Sequence, residues 1–191
     1  MLAFLSLTLA SLASATTYRL TVFAPETVVD GADIDAAGGG LYLGLSKAYT
    51  YCPVGNACPT ARGTLVYEGM TAMAVEVPGG QEIYVSPHGQ VMFTQAHSGY
   101  MPPGSFTGGW FNKTVVSECG PNIKLLDFPA TNGTDLSGVL LCPDVQDYMK
   151  GTGASYQLYA KTPLFNETNC VPALGLLQHG VNATVGAWQY T

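Results

Sequence analysis

Charge is what this chain has least of. Only 10% of its 191 residues are Asp, Glu, Lys or Arg, against roughly 25% in an ordinary soluble domain. Seven basic and 13 acidic side chains leave a formal charge of −6, which excludes a nucleic-acid binder, because phosphate recognition needs a basic stripe. So few Glu, Lys and Arg also exclude a helical bundle, whose solvent faces are built from them. Histidine is scarce as well: His88, His97 and His179 stand far apart with no HxH or HxxxH spacing, so no zinc or copper site is expected. A GxSxG nucleophile elbow, a phosphate-cradling glycine loop and a CxxC pair are likewise missing, and no cofactor is expected. Disorder is excluded from the other side, since 47% of the letters are apolar and a disordered chain is poor in them.

What the chain does spend its letters on is 19 Thr, 10 Ser, 23 Gly and 12 Pro, the composition of short strands and many turns. Period-two alternation is clearest in Thr71–Val77, where Met73, Val75 and Val77 share one side and Glu76 the other. Pro78-Gly79-Gly80 then turns the chain into Gln81–Val85, with Ile83 and Val85 inward and Glu82 and Tyr84 opposite, and Pro87-His88-Gly89 turns it into Gln90–Gln95. Further strands are predicted at Tyr18–Phe23, Leu41–Leu45, Thr64–Tyr67, Lys124–Phe128, Val139–Cys142, Tyr156–Lys161 and Ala187–Tyr190. Nine or ten short strands predict an all-β fold, a single-domain antiparallel sandwich or barrel, from Thr16 to Thr191. Asp30–Gly40 reads as an exposed loop, and short helical turns are expected at Asp144–Lys150 and Val171–Gln178.

The N-terminus reads as an address. Leu2–Leu12 is apolar apart from Ser6, Thr8 and Ser11 and runs into Ala13-Ser14-Ala15, the small-x-small pattern of a signal-peptidase site after Ala15. Residues 1–15 are therefore read as a signal peptide, although no Lys or Arg marks its start. The run is shorter than the roughly 20 residues that span a bilayer, so secretion rather than membrane anchoring is expected. Four sequons agree with that route, at Asn112, Asn132, Asn166 and Asn182, where about one would arise by chance.

Five cysteines in a secreted chain imply disulfides plus one leftover thiol. Two pairs and one free cysteine can be chosen in 15 ways. The turn Cys52-Pro-Val-Gly-Asn-Ala-Cys58 favours a local staple, Cys142 and Cys170 are paired across strand-like segments, and Cys119 is left free. On the loop-entropy model the two bridges contribute roughly 2.4 and 3.6 kcal/mol.

Two kinds of side chain were weighed for function. A glycosidase needs facing carboxylates, for which Glu68, Glu76, Glu82 and Asp127 are the strand-borne candidates, with His97 a further titratable group; solvated strand faces are the better account of these acids, since Glu76 and Glu82 sit opposite the apolar positions of their own strands. The aromatics Tyr49, Tyr51, Tyr100, Phe106, Trp110 and Phe111 lie among Gly, Pro and Ser, where an exposed ring stacks on a sugar face. Tyr100 and Trp110 are the candidate sugar-stacking pair.

Several stretches carry a resemblance: Gly79–Val85, Phe93–Ser98, Met101-Pro102-Pro103-Gly104, Leu141-Cys142-Pro143, Tyr156–Ala160 and Ala187–Tyr190. Together they resemble the secreted IgE-binding or antigenic proteins of filamentous fungi, related to the phialide-associated cell-wall protein (PhiA-like), from about Val77 to Thr191. The resemblance implies an extracellular, wall-associated β-protein without a known reaction, recognised by host IgE, and it supports the Cys142–Cys170 pair. The expectation is thus a secreted, N-glycosylated, non-enzymatic surface protein, with a lectin-like binder of wall polysaccharide as the alternative and a secreted hydrolase behind both.

Overall fold

The computed structural model describes residues 16–60, 62–117, 120–129 and 137–191. The signal-cleavage residue Ala15, the thiol of Cys119 and the sequon at Asn132 lie outside these residues. Among the described residues there are fifteen strands, three single 3-10 turns and no α-helix. The all-β antiparallel expectation is correct.

One sheet is built from β1 (Thr17–Phe23), β5 (Val66–Tyr67), β9 (Phe111–Val115), β10 (Ile123–Asp127) and β14 (Gly175–Val181), in the order β5-β1-β14-β10-β9. The other runs β13 (Val171–Pro172), β11 (Val139–Cys142), β12 (Tyr156–Ala160), β3 (Gly40–Leu43), β7 (Val91–Phe93), β6 (Ile83–Val85) and β8 (Phe106–Thr107), with β2 (Asp35–Ala37) paired to β3. A short third ribbon joins β4 (Thr50–Tyr51) to β15 (Gln189–Tyr190). The sheets curl over one another as a half-barrel sandwich. Leu20, Val22, Leu126 and Leu176 of the first meet Ile83, Val85, Val91, Phe93, Leu141 and Leu158 of the second in one apolar cluster, whose burial is the main stabilising term.

The β6–β7 meander came out as read: Ile83 pairs with Phe93 and Val85 with Val91 around a Ser86–Gln90 turn. Its outward face did not, because Tyr84 is buried beside Ile83 and Val85. Three other expectations are corrected. Val171–Gln178 holds strand, not helix, because Val171–Pro172 pairs with β11 and β14 pairs along its whole length with β1, from Gly175 opposite Phe23 to Val181 opposite Thr17; a long ladder overrides local preference. Asp30–Gly40 is not an exposed loop, since Ile34, Ala36 and Ala37 are buried and β2 adds to the second sheet. Thr71–Val77 makes only isolated bridges, to Val66, Glu82 and Ala187, so its alternation records one-sided burial rather than a ladder. The Asp144–Lys150 turn is present as a 3-10 turn at Asp147–Met149.

Both disulfides form, Cys52–Cys58 and Cys142–Cys170. The second continues the β11–β13 register, in which Leu140 faces Pro172 and Leu141 faces Val171, and Pro172 closes that sheet edge to further pairing.

A polar clamp binds the last strand into the core. Gln81, 1% exposed, donates from Nε2 to the carbonyls of Thr94 and Tyr190, both at 3.0 Å, and accepts from the Tyr190 N–H at 2.8 Å. The Tyr190 hydroxyl accepts from the Leu65 N–H at 2.9 Å and donates to the Gly63 carbonyl at 2.8 Å. Gly186 makes the approach feasible, because a Cβ there would run into that hydroxyl.

Tyr190→Phe strands the buried Leu65 N–H and is expected to cost about 1–3 kcal/mol in denaturant unfolding. Gln81→Glu is expected to cost more at neutral pH, because a buried carboxylate replaces a donor that faces two carbonyls. Its folded pKa is thereby raised above the unfolded value, so the lost stability returns as pH falls below that folded value. A Gln81→Glu protein as stable as the parent at pH 7 would contradict the clamp.

Candidate functional site

The clamp holds the floor of a cleft of about 440 Å³. Its walls come from the β2–β3 turn at Gly38 and Gly39, from Tyr84 and Met92 of the β6–β7 hairpin, from the following loop with Gln95, Ser98 and Tyr100, and from Gln189, Tyr190 and Thr191. The loop is prefolded. Ser98 N–H donates to the Gln95 carbonyl at 3.0 Å, His97 takes a positive φ of 61° at the bend, and Tyr100 N–H donates to Ser98 Oγ at 3.2 Å. This presents the Tyr100 ring 73% exposed at the rim.

Tyr148 buttresses the Gly38 edge of the cleft, donating its hydroxyl to the Gly38 carbonyl at 3.0 Å. A Cβ on Gly38 would fall 2.6 Å from the Tyr148 ring, so glycine is what allows the ring to lie there. Burial first, and then the neighbouring phenols of Tyr100 and Tyr148, push the Tyr84 hydroxyl above the usual phenol range. Tyr84, Tyr100 and Tyr190 line the cleft itself, and Tyr148 supports its Gly38 edge from outside the lining. Among the described residues that line the cleft none carries a charged side chain. Rings supply flat apolar faces, and the amides of Gln95 and Gln189 with the Ser98 hydroxyl supply neutral donors and acceptors. Such a surface recognises a polyhydroxylated, uncharged ligand.

A second cleft, of about 570 Å³, is lined by Lys47, Ala48, Tyr49, Thr50 and Gly63 and shares Thr191 with the first.

The two candidate stacking residues have different settings. Tyr100 lines the first cleft, whereas Trp110 is half-buried, packed edge-on against Phe128 with ring centroids 5.3 Å apart. Sequence reasoning missed Tyr84 and Tyr148. Tyr84 was hidden by an alternation that assigned it to solvent, and Tyr148 by a turn with no strand pattern.

The titratable candidates are dispersed. Asp127 is not on a solvated face. It is 2% exposed, paired with Lys113 at 2.7 Å, and accepts from the Phe128 N–H at 2.8 Å and from the Ser137 hydroxyl. Its carboxylate closes the β10 end of the sheet. Glu68 opens a 3-10 turn, Glu82 is exposed beside the meander, and Glu76 borders a small groove with Arg62. His88 faces the Leu164 carbonyl at 3.3 Å, and His179 Nε2 lies 2.8 Å from Thr21 Oγ1. Among the described residues no group of three or more His, Cys, Asp or Glu is placed to hold a metal ion, and no helix is long and apolar enough to cross a membrane. The sequon residues Asn112, Asn166 and Asn182 are all exposed.

Burial also raises other phenols: that of Tyr190, that of Tyr42, and that of Tyr159, the last pushed up to about 12 by burial and then by Glu167. A phenol that keeps its proton in the fold after the unfolded chain has released it favours the fold at lower pH. The stability is complete below about pH 10, the unfolded value, and declines as pH rises through about 12. Alkaline titration followed by phenolate absorbance and circular dichroism is expected to show a late-ionising fraction that appears as the fold is lost. Ionisation of every tyrosine in one early step, with the fold intact, would contradict this.

No family model and no solved structure matches the chain. An uncharacterized secreted protein of Arthroderma benhamiae is 36% identical over 170 residues, covering 85% of this chain and 80% of the relative. The chain belongs to that family of secreted fungal proteins.

Proposed function

We propose that the protein is a non-enzymatic, N-glycosylated component of the fungal cell surface that holds wall polysaccharide in the Tyr100 cleft. One observation carries the reading: a cleft lined by Tyr84, Tyr100 and Tyr190 and by the amides of Gln95 and Gln189, with no charged side chain among its lining residues. A wall glucan offers what these groups bind, sugar faces for the rings and hydroxyls for the amides. Exposed Asn112, Asn166 and Asn182 support glycosylation. The resemblance to PhiA-like antigens supports the wall location and makes host IgE a partner of the exposed surface.

Because no charged side chain lines the cleft, binding is expected to depend only weakly on salt. The secreted protein should co-sediment with at least one of insoluble glucan, chitin and mannan, and Tyr100→Ala should weaken that binding about tenfold. Loss of a purely structural contact would lower stability, whereas Tyr100, being exposed, is expected to leave unfolding unchanged. Failure of the parent protein to sediment with any of the three polymers would overturn the reading.

A further inference from the structure

We infer that the two clefts that share Thr191 act as one groove, and that its occupant is an uncharged oligosaccharide chain rather than a single sugar. The inference rests on the glycan reading above and extends it to the length of the ligand.

Thr191 borders both clefts. Its backbone is fixed from each side: its carbonyl accepts from the Gly38 N–H at 2.8 Å, and its N–H donates to the Tyr49 carbonyl at 2.9 Å. Gly38 belongs to the wall of the first cleft and Tyr49 to that of the second. The residue that both linings share is therefore pinned, and Gln81 holds its neighbour Tyr190 through that residue's N–H and carbonyl. The two spaces cannot move independently without breaking these bonds.

Each space, at about 440 and about 570 Å³, falls within the roughly 300–1,000 Å³ of a small-ligand site. Placed in series they suit a polymer. Each also carries an accessible ring, Tyr100 at one end and Tyr49, 38% exposed, at the other. Two stacking positions on one rigid body bind a chain that reaches both far more tightly than a sugar that reaches one, because the second contact is intramolecular. Lys47, the one charged side chain among the described residues lining the two clefts, lies at the Tyr49 end, where its ammonium can donate to sugar hydroxyls.

The test is isothermal titration of the full secreted chain with two series, β-1,3-linked glucose oligomers and β-1,4-linked N-acetylglucosamine oligomers, each from disaccharide to octasaccharide. In at least one series the affinity is expected to rise about tenfold or more between the disaccharide and the hexasaccharide and then to level. Tyr100→Ala should weaken every length that binds. Tyr49→Ala should weaken the hexasaccharide about tenfold and leave the disaccharide unchanged. Both rings are exposed, and circular dichroism of the variants checks that the fold is retained. Affinity that is flat with length, or a Tyr49→Ala variant that binds the hexasaccharide as the parent does, would overturn the single groove while leaving the glycan reading in place. If no oligomer of either series binds the parent at any length, the groove falls, and the glycan reading falls with it unless the parent sediments with mannan.

Discussion

The structure depends on a buried amide. Gln81 satisfies both its oxygen and its nitrogen inside the core, and all three of its partners are backbone groups, two on Tyr190 and one on Thr94. A buried polar side chain left unpaired is costly, but a fully paired one specifies where its partners must be. Gln81 thereby fixes the end of the chain against the β6–β7 meander, and the Tyr190 hydroxyl fixes it against Gly63 and Leu65. In a chain with so few charges, this network does the positioning that ion pairs do elsewhere. Of the ion pairs among the described residues, Lys113–Asp127 is the one in which the carboxylate is buried.

The same strand end forms the floor or border of both clefts, so the polar clamp links stability to the binding surface. Loop residues such as Tyr100 and Ser98 sit on a hairpin whose other side is the apolar core. A recognition surface assembled in this way is pre-organised, and little entropy is lost when ligand arrives. The disulfides act elsewhere. Cys52–Cys58 closes the loop that follows β4, and Cys142–Cys170 locks the β11–β13 edge, so neither contributes a group to the Tyr100 cleft.

Much of the fold was legible in the sequence, because alternation and turn residues are local signals. The meander, β11, β12 and the pairing of four cysteines could be read directly. What could not be read was anything decided by a distant partner. Val171–Gln178 lacks a clear strand pattern, and its second half becomes strand through β1, more than 150 residues away in sequence. Ile34 and Ala36 are buried by packing that the Gly-rich stretch after them conceals. At the site, Tyr100 was visible as an exposed aromatic in a loop, but Tyr84 joins it only through the second sheet, and Tyr148 braces the Gly38 edge only because a glycine there admits its ring. The role of Gln81 had no signal at all, since nothing in a local window marks an amide whose partners are 13 and 109 residues ahead.

Residue-resolved amide hydrogen exchange tests the central claim most directly. If the clamp anchors the last strand, the amides of Tyr190 and Leu65 will exchange as slowly as those at the centre of the β1–β14 ladder, through global unfolding alone. Exchange of Tyr190 by local fraying, orders of magnitude faster than Leu20 or Val22, would show that the end of the chain is loosely held and that the cleft it borders is not pre-organised.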